Sequence, residues 1–151
     1  MKSRFKHVNI IATDWDALAK FYEEVFGCVR ILPESRISDP WLARGTGVPG
    51  ASLRGLKLTF PGCDKNGPLL EIFQFSESEE KLPAKANRRG FGHLAFEVED
   101  VTGALKEIVV HGGSALGEVT VHEDSTGAFT FVFATDPEGN IVELTNWAPR
   151  S

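Results

Sequence analysis

Two histidines and two glutamates stand at matching places in a sequence that repeats itself: His7 and Glu71 in the first half, His93 and Glu143 in the second. Neutral imidazole nitrogen and carboxylate oxygen are donors for a divalent first-row metal, and two carboxylates balance its charge. Taken singly, a strand histidine is usually only a hydrogen-bonded side chain and a strand glutamate a solvated one. Four of them at equivalent positions point instead to a cage holding one ion of Zn, Ni, Co, Mn or Fe.

The repeat appears when His7-Val8-Asn9-Ile10 is set on His93-Leu94-Ala95-Phe96, which carries Asp14 onto Asp100 and Gly27 onto Gly113. Each half opens with a short strand pattern. An N-cap residue follows, Thr13 or Asp14 in one half and Asp100 in the other, and then a helix that stops at glycine. Trp15, Leu18, Phe21, Tyr22, Val25 and Phe26 form one apolar helical face; Val101, Ala104, Leu105, Ile108 and Val109 form the other. Alternating strand patterns come next, Leu56-Leu58-Phe60 and Phe129-Phe131-Phe133. Turn-rich segments, residues 61–68 and 136–140, then lead into the last strands, residues 69–75 and 141–147.

Alternation along these strands puts Val8, Ile10, Leu70, Ile72, Leu94, Phe96, Val98, Val142 and Leu144 on a face the helices can bury. The opposite face carries His7, Asn9, Glu71, Phe73, Phe75, His93, Ala95, Glu143, Thr145 and Trp147. The expected fold is α+β: two tandem βαβββ modules forming an open, curved mixed sheet around a metal-binding cleft. Residues 1–151 form one domain in this reading, with module one over about 4–76, a polar linker over about 77–89 and module two over about 90–148. The first half is longer between its helix and its last strand, and the excess falls in residues 38–50. That segment, with Pro40, Gly45, Gly47, Pro49 and Gly50, predicts a long loop of the kind that covers sites.

Composition narrows the class. With 42% hydrophobic and 25% charged residues, the 151-residue chain has the material of a soluble globular domain. A net charge of −5, a pI near 5.4 and no basic stripe argue against nucleic acid as a partner, leaving a small molecule. No apolar stretch has the length of a membrane span, and the expected location is the cytoplasm. Cys28 and Cys63 have no metal-binding spacing and are expected to be plain thiols. His111, at a helix C-terminus, suits the helix dipole, and His122 has no repeat counterpart.

The chain resembles the vicinal oxygen chelate superfamily, which includes glyoxalase I, methylmalonyl-CoA epimerase, extradiol dioxygenases, fosfomycin-modifying enzymes and bleomycin-binding proteins. The resemblance is carried by His7-Val8-Asn9-Ile10, Phe21-Tyr22 with Phe26-Gly27, Leu70-Glu71, Gly90-Phe91-Gly92-His93, and Asp136-Pro137-Glu138-Gly139-Asn140 followed by Glu143. A carboxylate at Glu71 is similar to the glyoxalase I pattern, where epimerases carry Gln and dioxygenases use three ligands. Arg89 matches a glutathione contact of that pattern, whereas Ile11 and Phe75 stand where the pattern has an arginine and an asparagine.

The resemblance implies a metal-dependent lyase or isomerase that moves a proton next to a carbonyl through a metal-stabilised enediolate, on a substrate that need not be a glutathione adduct. Glu143 is the first choice as base and Glu71 the second. Arg89 is the expected anchor for a substrate carboxylate or phosphate, with Arg44 and Arg54 as weaker candidates. Phe73, Phe75 and Trp147 would line the pocket, though ordinary core packing explains them as well. The resemblance also implies a homodimer. Two rival functions share this fold: an extradiol-type dioxygenase using His7, His93 and Glu143, and a non-catalytic antibiotic-binding protein.

Overall fold

The computed structural model describes residues 1–150, and its contacts cluster into two compact units, Met1–Lys81 and a second that begins at Leu82. The expected α+β class and repeated module are observed, with one mixed sheet in each unit. No helix among the described residues is long and apolar enough to cross a membrane.

The first unit contains β1 (His7–Ile11), α1 (Trp15–Phe26), β2 (Val29–Ile37), α2 (Pro40–Thr46), β3 (Leu53–Thr59) and β4 (Leu69–Phe75), in the sheet order β1-β4-β3-β2. The Asp14 carboxylate accepts the Ala17 N–H at 3.1 Å, which settles the N-cap in favour of Asp14 over Thr13. At the other end Gly27 adopts φ 70°, and its N–H returns to the Glu23 carbonyl, a left-handed stop that favours glycine. Between the caps α1 buries Trp15, Leu18, Phe21, Tyr22 and Phe26. The sheet meets it with Leu56, Leu58, Leu70 and Ile72, all fully buried. Removing that much apolar surface from water is the main stabilising term of the unit.

Residues 38–50, expected to be a long loop, instead contain the helix α2. Its signals were present: Asp39 at the N-cap, Pro40 in the first turn, and Gly47 at φ 73° closing it. The same prolines and glycines that suggest a loop are here the start and stop of one short helix. Leu42 anchors it by packing with Ala51 and Leu53.

The second unit contains β5 (Leu94–Glu97), α3 (Val101–Val110), β6 (Ser114–Ala115), β7 (Thr120–Glu123), β8 (Gly127–Thr135) and β9 (Ile141–Pro149). The order is β5-β9-β8-β6, with β7 also paired to β8. Asp100 caps α3 by accepting the Gly103 N–H at 2.9 Å. Val101 and Ile108 are buried, but Val109, expected on the same face, is 52% exposed. It follows Ile108 by one residue, about 100° around the helix, and so turns off the packed stripe. His111 does what a residue at a helix end can do, its Nδ1 lying 2.8 Å from the Glu107 carbonyl oxygen.

The outer strands break in the same way in both units. In β2 the pairing runs from Ile31 opposite Lys57 to Ser35 opposite Gly55, and in the second unit from Ala115 opposite Ala134 to Thr120 opposite Phe131. Each interruption leaves extra residues on the outer strand, as a β-bulge does.

Candidate functional site

In the first unit β1 runs parallel to β4 with Asn9 opposite Glu71, so His7 lies diagonally across from that glutamate. Its Nε2 is 3.3 Å from Glu71 Oε2. The second unit repeats the arrangement: β5 is parallel to β9, Ala95 is opposite Glu143, and His93 Nε2 is 3.2 Å from Glu143 Oε2. Parallel pairing fixes this relation, because a residue two places before the one facing the glutamate lies on the same side of the sheet. The glutamates are the enclosed members, their side chains 10% and 18% exposed against 41% and 35% for the histidines.

A tight turn sets each glutamate in place. The buried carboxylate of Asp136 accepts the N–H groups of Glu138 and Asn140 at 3.0 and 2.8 Å, and its second oxygen accepts the Asn140 side-chain amide at 2.7 Å. In the first unit Asp64 accepts the N–H groups of Asn66 and Gly67 at 2.7 and 3.1 Å. These aspartates close the turns that set the register of the glutamate-bearing strands.

The residue facing each glutamate from the antiparallel side differs. Lys57 on β3 is opposite Glu71, and its Nζ is 3.3 Å from Glu71 Oε1, so both carboxylate oxygens have a partner. Phe133 on β8 is opposite Glu143, and its ring lies 4.9 Å from the His93 ring, centroid to centroid. Phe131 and Phe129 extend this aromatic row, stacked with centroids 5.4 Å apart. Neither Lys57 nor Phe133 was a site candidate in the sequence, because which residue faces each glutamate depends on the register of its hairpin.

The remaining candidates are dispersed. Phe73 and Phe75 are half-buried against the Leu42, Ala51 and Leu53 cluster, so α2 packs on the face that carries Glu71. A side chain at Gly55, opposite Phe73, would meet the Phe73 ring at 2.8 Å, which shows how closely that ring covers the strand. Trp147 is 44% exposed and faces Phe129 across the sheet. Arg89 is exposed in the irregular segment before His93, Arg44 is exposed in the last turn of α2, and Arg54 is exposed on β3. His122 sits opposite Phe129 at the far end of the aromatic row. Cys28 is buried, and that burial, with the charge of Glu23 adding to it, pushes its thiol up to about 12, too high for a thiolate nucleophile at neutral pH.

Each His–Glu pair offers nitrogen and oxygen donors that fit a divalent ion such as Zn, Ni, Co, Mn or Fe. Among the described residues no group of three or more His, Cys, Asp or Glu is placed to hold a metal ion.

The family model described as "Glyoxalase/Bleomycin resistance protein/Dioxygenase superfamily" matches residues 4–144. Lactoylglutathione lyase of Schizosaccharomyces pombe is 29% identical, over 95% of this chain and 47% of its own length. The Escherichia coli protein YaeR is 27% identical over 91% of this chain and 92% of its own. The chain spans about half the length of the first of these curated relatives. A glyoxalase family protein from Bacillus cereus superposes with a TM-score of 0.81 at 20% identity, covering 97% of this chain and 95% of that one, a likeness of fold.

Proposed function

Because the chain belongs to the glyoxalase/bleomycin resistance protein/dioxygenase superfamily, we propose that it is a metal-dependent lyase or isomerase that moves a proton next to a carbonyl. His7, Glu71, His93 and Glu143 supply the ligands of one divalent ion in this reading. The observation that carries it is the twice-built pair, an imidazole Nε2 at 3.3 and 3.2 Å from a largely enclosed carboxylate. Support for the lyase class comes from the relative named lactoylglutathione lyase.

When bound, the ion would polarise the substrate's oxygens and make the neighbouring C–H more acidic. The protein's own groups then divide the work. Glu71 is held at one oxygen by His7 and at the other by Lys57, so it is the fixed carboxylate. Glu143 has His93 on one oxygen and the Phe133 ring beside the pair, and is the carboxylate free to turn and carry the proton between carbons. Apolar side chains around it exclude water and strengthen its electrostatic interactions. Arg89 anchors an anionic end of the substrate. Ile11 and Phe75 give no polar contact for a glutathione arm, so the substrate class extends to other acyl compounds. The working unit in this reading is a homodimer.

The test is metal content by mass spectrometry on wild type and Glu71→Ala purified without added metal. One equivalent of metal, lost in the variant, supports the ligand set and leads to assays on hemithioacetals and acyl-CoA esters. No metal after reconstitution would overturn the enzymatic reading and leave a binding protein of the same fold.

A further inference from the structure

Three arginines in the first unit lie on one side of its sheet, and only one of them is neutralised. Arg30 on β2 is opposite Leu58, on the face that α1 covers, and α1 supplies two carboxylates to it: Glu23 at 2.7 Å from Nε and Asp16 at 2.6 Å from a terminal nitrogen. Arg36, further along the same strand, is paired directly with Arg54 on β3. Arg54 in turn faces Gln74 on β4. Alternation places Arg54 with Leu56 and Leu58 and away from Lys57, so this row is on the sheet face opposite to Glu71.

Two guanidinium-bearing residues directly across an antiparallel ladder have Cβ atoms about 5 Å apart, an arrangement that like charge destabilises. Among the described residues no carboxylate forms an ion pair with either one. Around them is a groove of about 410 Å³, bordered also by Gln74, Ser38, Ser52 and Ser76. Two planar forks, an amide and three hydroxyls in one concavity make a donor-rich site with no acidic group on its lining.

We propose that this groove binds a small-molecule oxyanion, phosphate or carboxylate, held bidentately by Arg36 and Arg54. The anion replaces the missing carboxylates and relieves the repulsion between the two arginines. Arg36 and Arg54 stand on the face of the first sheet opposite to Glu71, while Leu53 and Phe75, of the Glu71 face, border the groove at its end. Its occupancy does not depend on the chemistry proposed for the His7–Glu71 pair.

The experiment is an NMR titration of the full-length ¹⁵N-labelled protein at constant ionic strength, with inorganic phosphate and succinate as probes and chloride as the control. Saturable shifts of the Ser38, Arg54, Gln74 and Ser76 amides with phosphate or succinate, absent with chloride, are expected. The tighter of the two names the headgroup. Arg54→Gln should weaken the binding by about tenfold or more, while amides distant from the groove keep their positions. Arg54→Lys, which retains the charge and the fold but loses the fork, should also bind measurably more weakly. Shifts that fail to saturate, that chloride reproduces, or that survive unchanged in both variants would overturn the proposal.

Discussion

The two units build the same His–Glu pair on the same parallel ladder, and they differ in what stands across from the glutamate. In the first it is Lys57, whose ammonium occupies the second oxygen of Glu71. In the second it is Phe133, which leaves Glu143 with His93 and an aromatic wall. The difference shows that a repeated backbone preserves where a side chain is placed but not what surrounds it. One strand neighbour decides whether the glutamate's second oxygen meets an ammonium or the pair meets an aromatic ring.

The largest expected effect breaks this symmetry at the chemistry. Under the proposed function Glu143→Gln should lower turnover by about 10²–10⁴-fold, the range for a general base, once activity on a substrate is found. Steady-state kinetics of Glu71→Gln at saturating metal provide the comparison. A larger fall in Glu71→Gln with metal retained would exchange the two roles.

A smaller effect is expected from changing the strand neighbours themselves. Lys57→Met removes a cation that competes for Glu71 and should tighten metal binding, by about fivefold or less, because a half-exposed pair is worth roughly 1 kcal/mol or below. Phe133→Lys places a cation across from Glu143 and should weaken it. Calorimetric metal titrations of both variants check the pair of predictions, and equal affinities would show that the facing residue does not matter.

The units should also differ in local stability. α1 buries six residues between its caps, whereas α3 buries Val101 and Ile108. Amide hydrogens of α1 should therefore exchange more slowly than those of α3 in a hydrogen-exchange measurement. The smallest effect concerns the caps, which are alike: Asp14→Ala and Asp100→Ala should each cost about 1 kcal/mol in chemical denaturation.

Much of this arrangement is legible from residue types alone. Strand alternation separates Leu70 and Ile72 from Glu71, and the structure buries the leucine and isoleucine beneath α1 while Glu71 meets His7 on the other side. Asp14 and Gly27 mark the ends of α1 because their preferences are local. Residues 38–50 misled because proline and glycine mark a loop and the ends of a short helix equally well. Only the burial of Leu42 against Ala51 and Leu53 distinguishes them. Arg54 was visible only as a possible anion contact, and Arg36 not at all, since their pairing depends on the register of β2 after its bulge.

The sequence by itself determined the repeated module, its caps and turns, and the two His–Glu pairs, because these depend on backbone preferences and on alternation within a few residues. Tertiary structure alone decided that Lys57 grips Glu71, that Phe133 stands beside Glu143, and that Arg36 meets Arg54 without a carboxylate between them. Those contacts join strands that follow one another in the chain. Which side chains face one another there is set by hairpin register and bulges, quantities that no single segment encodes.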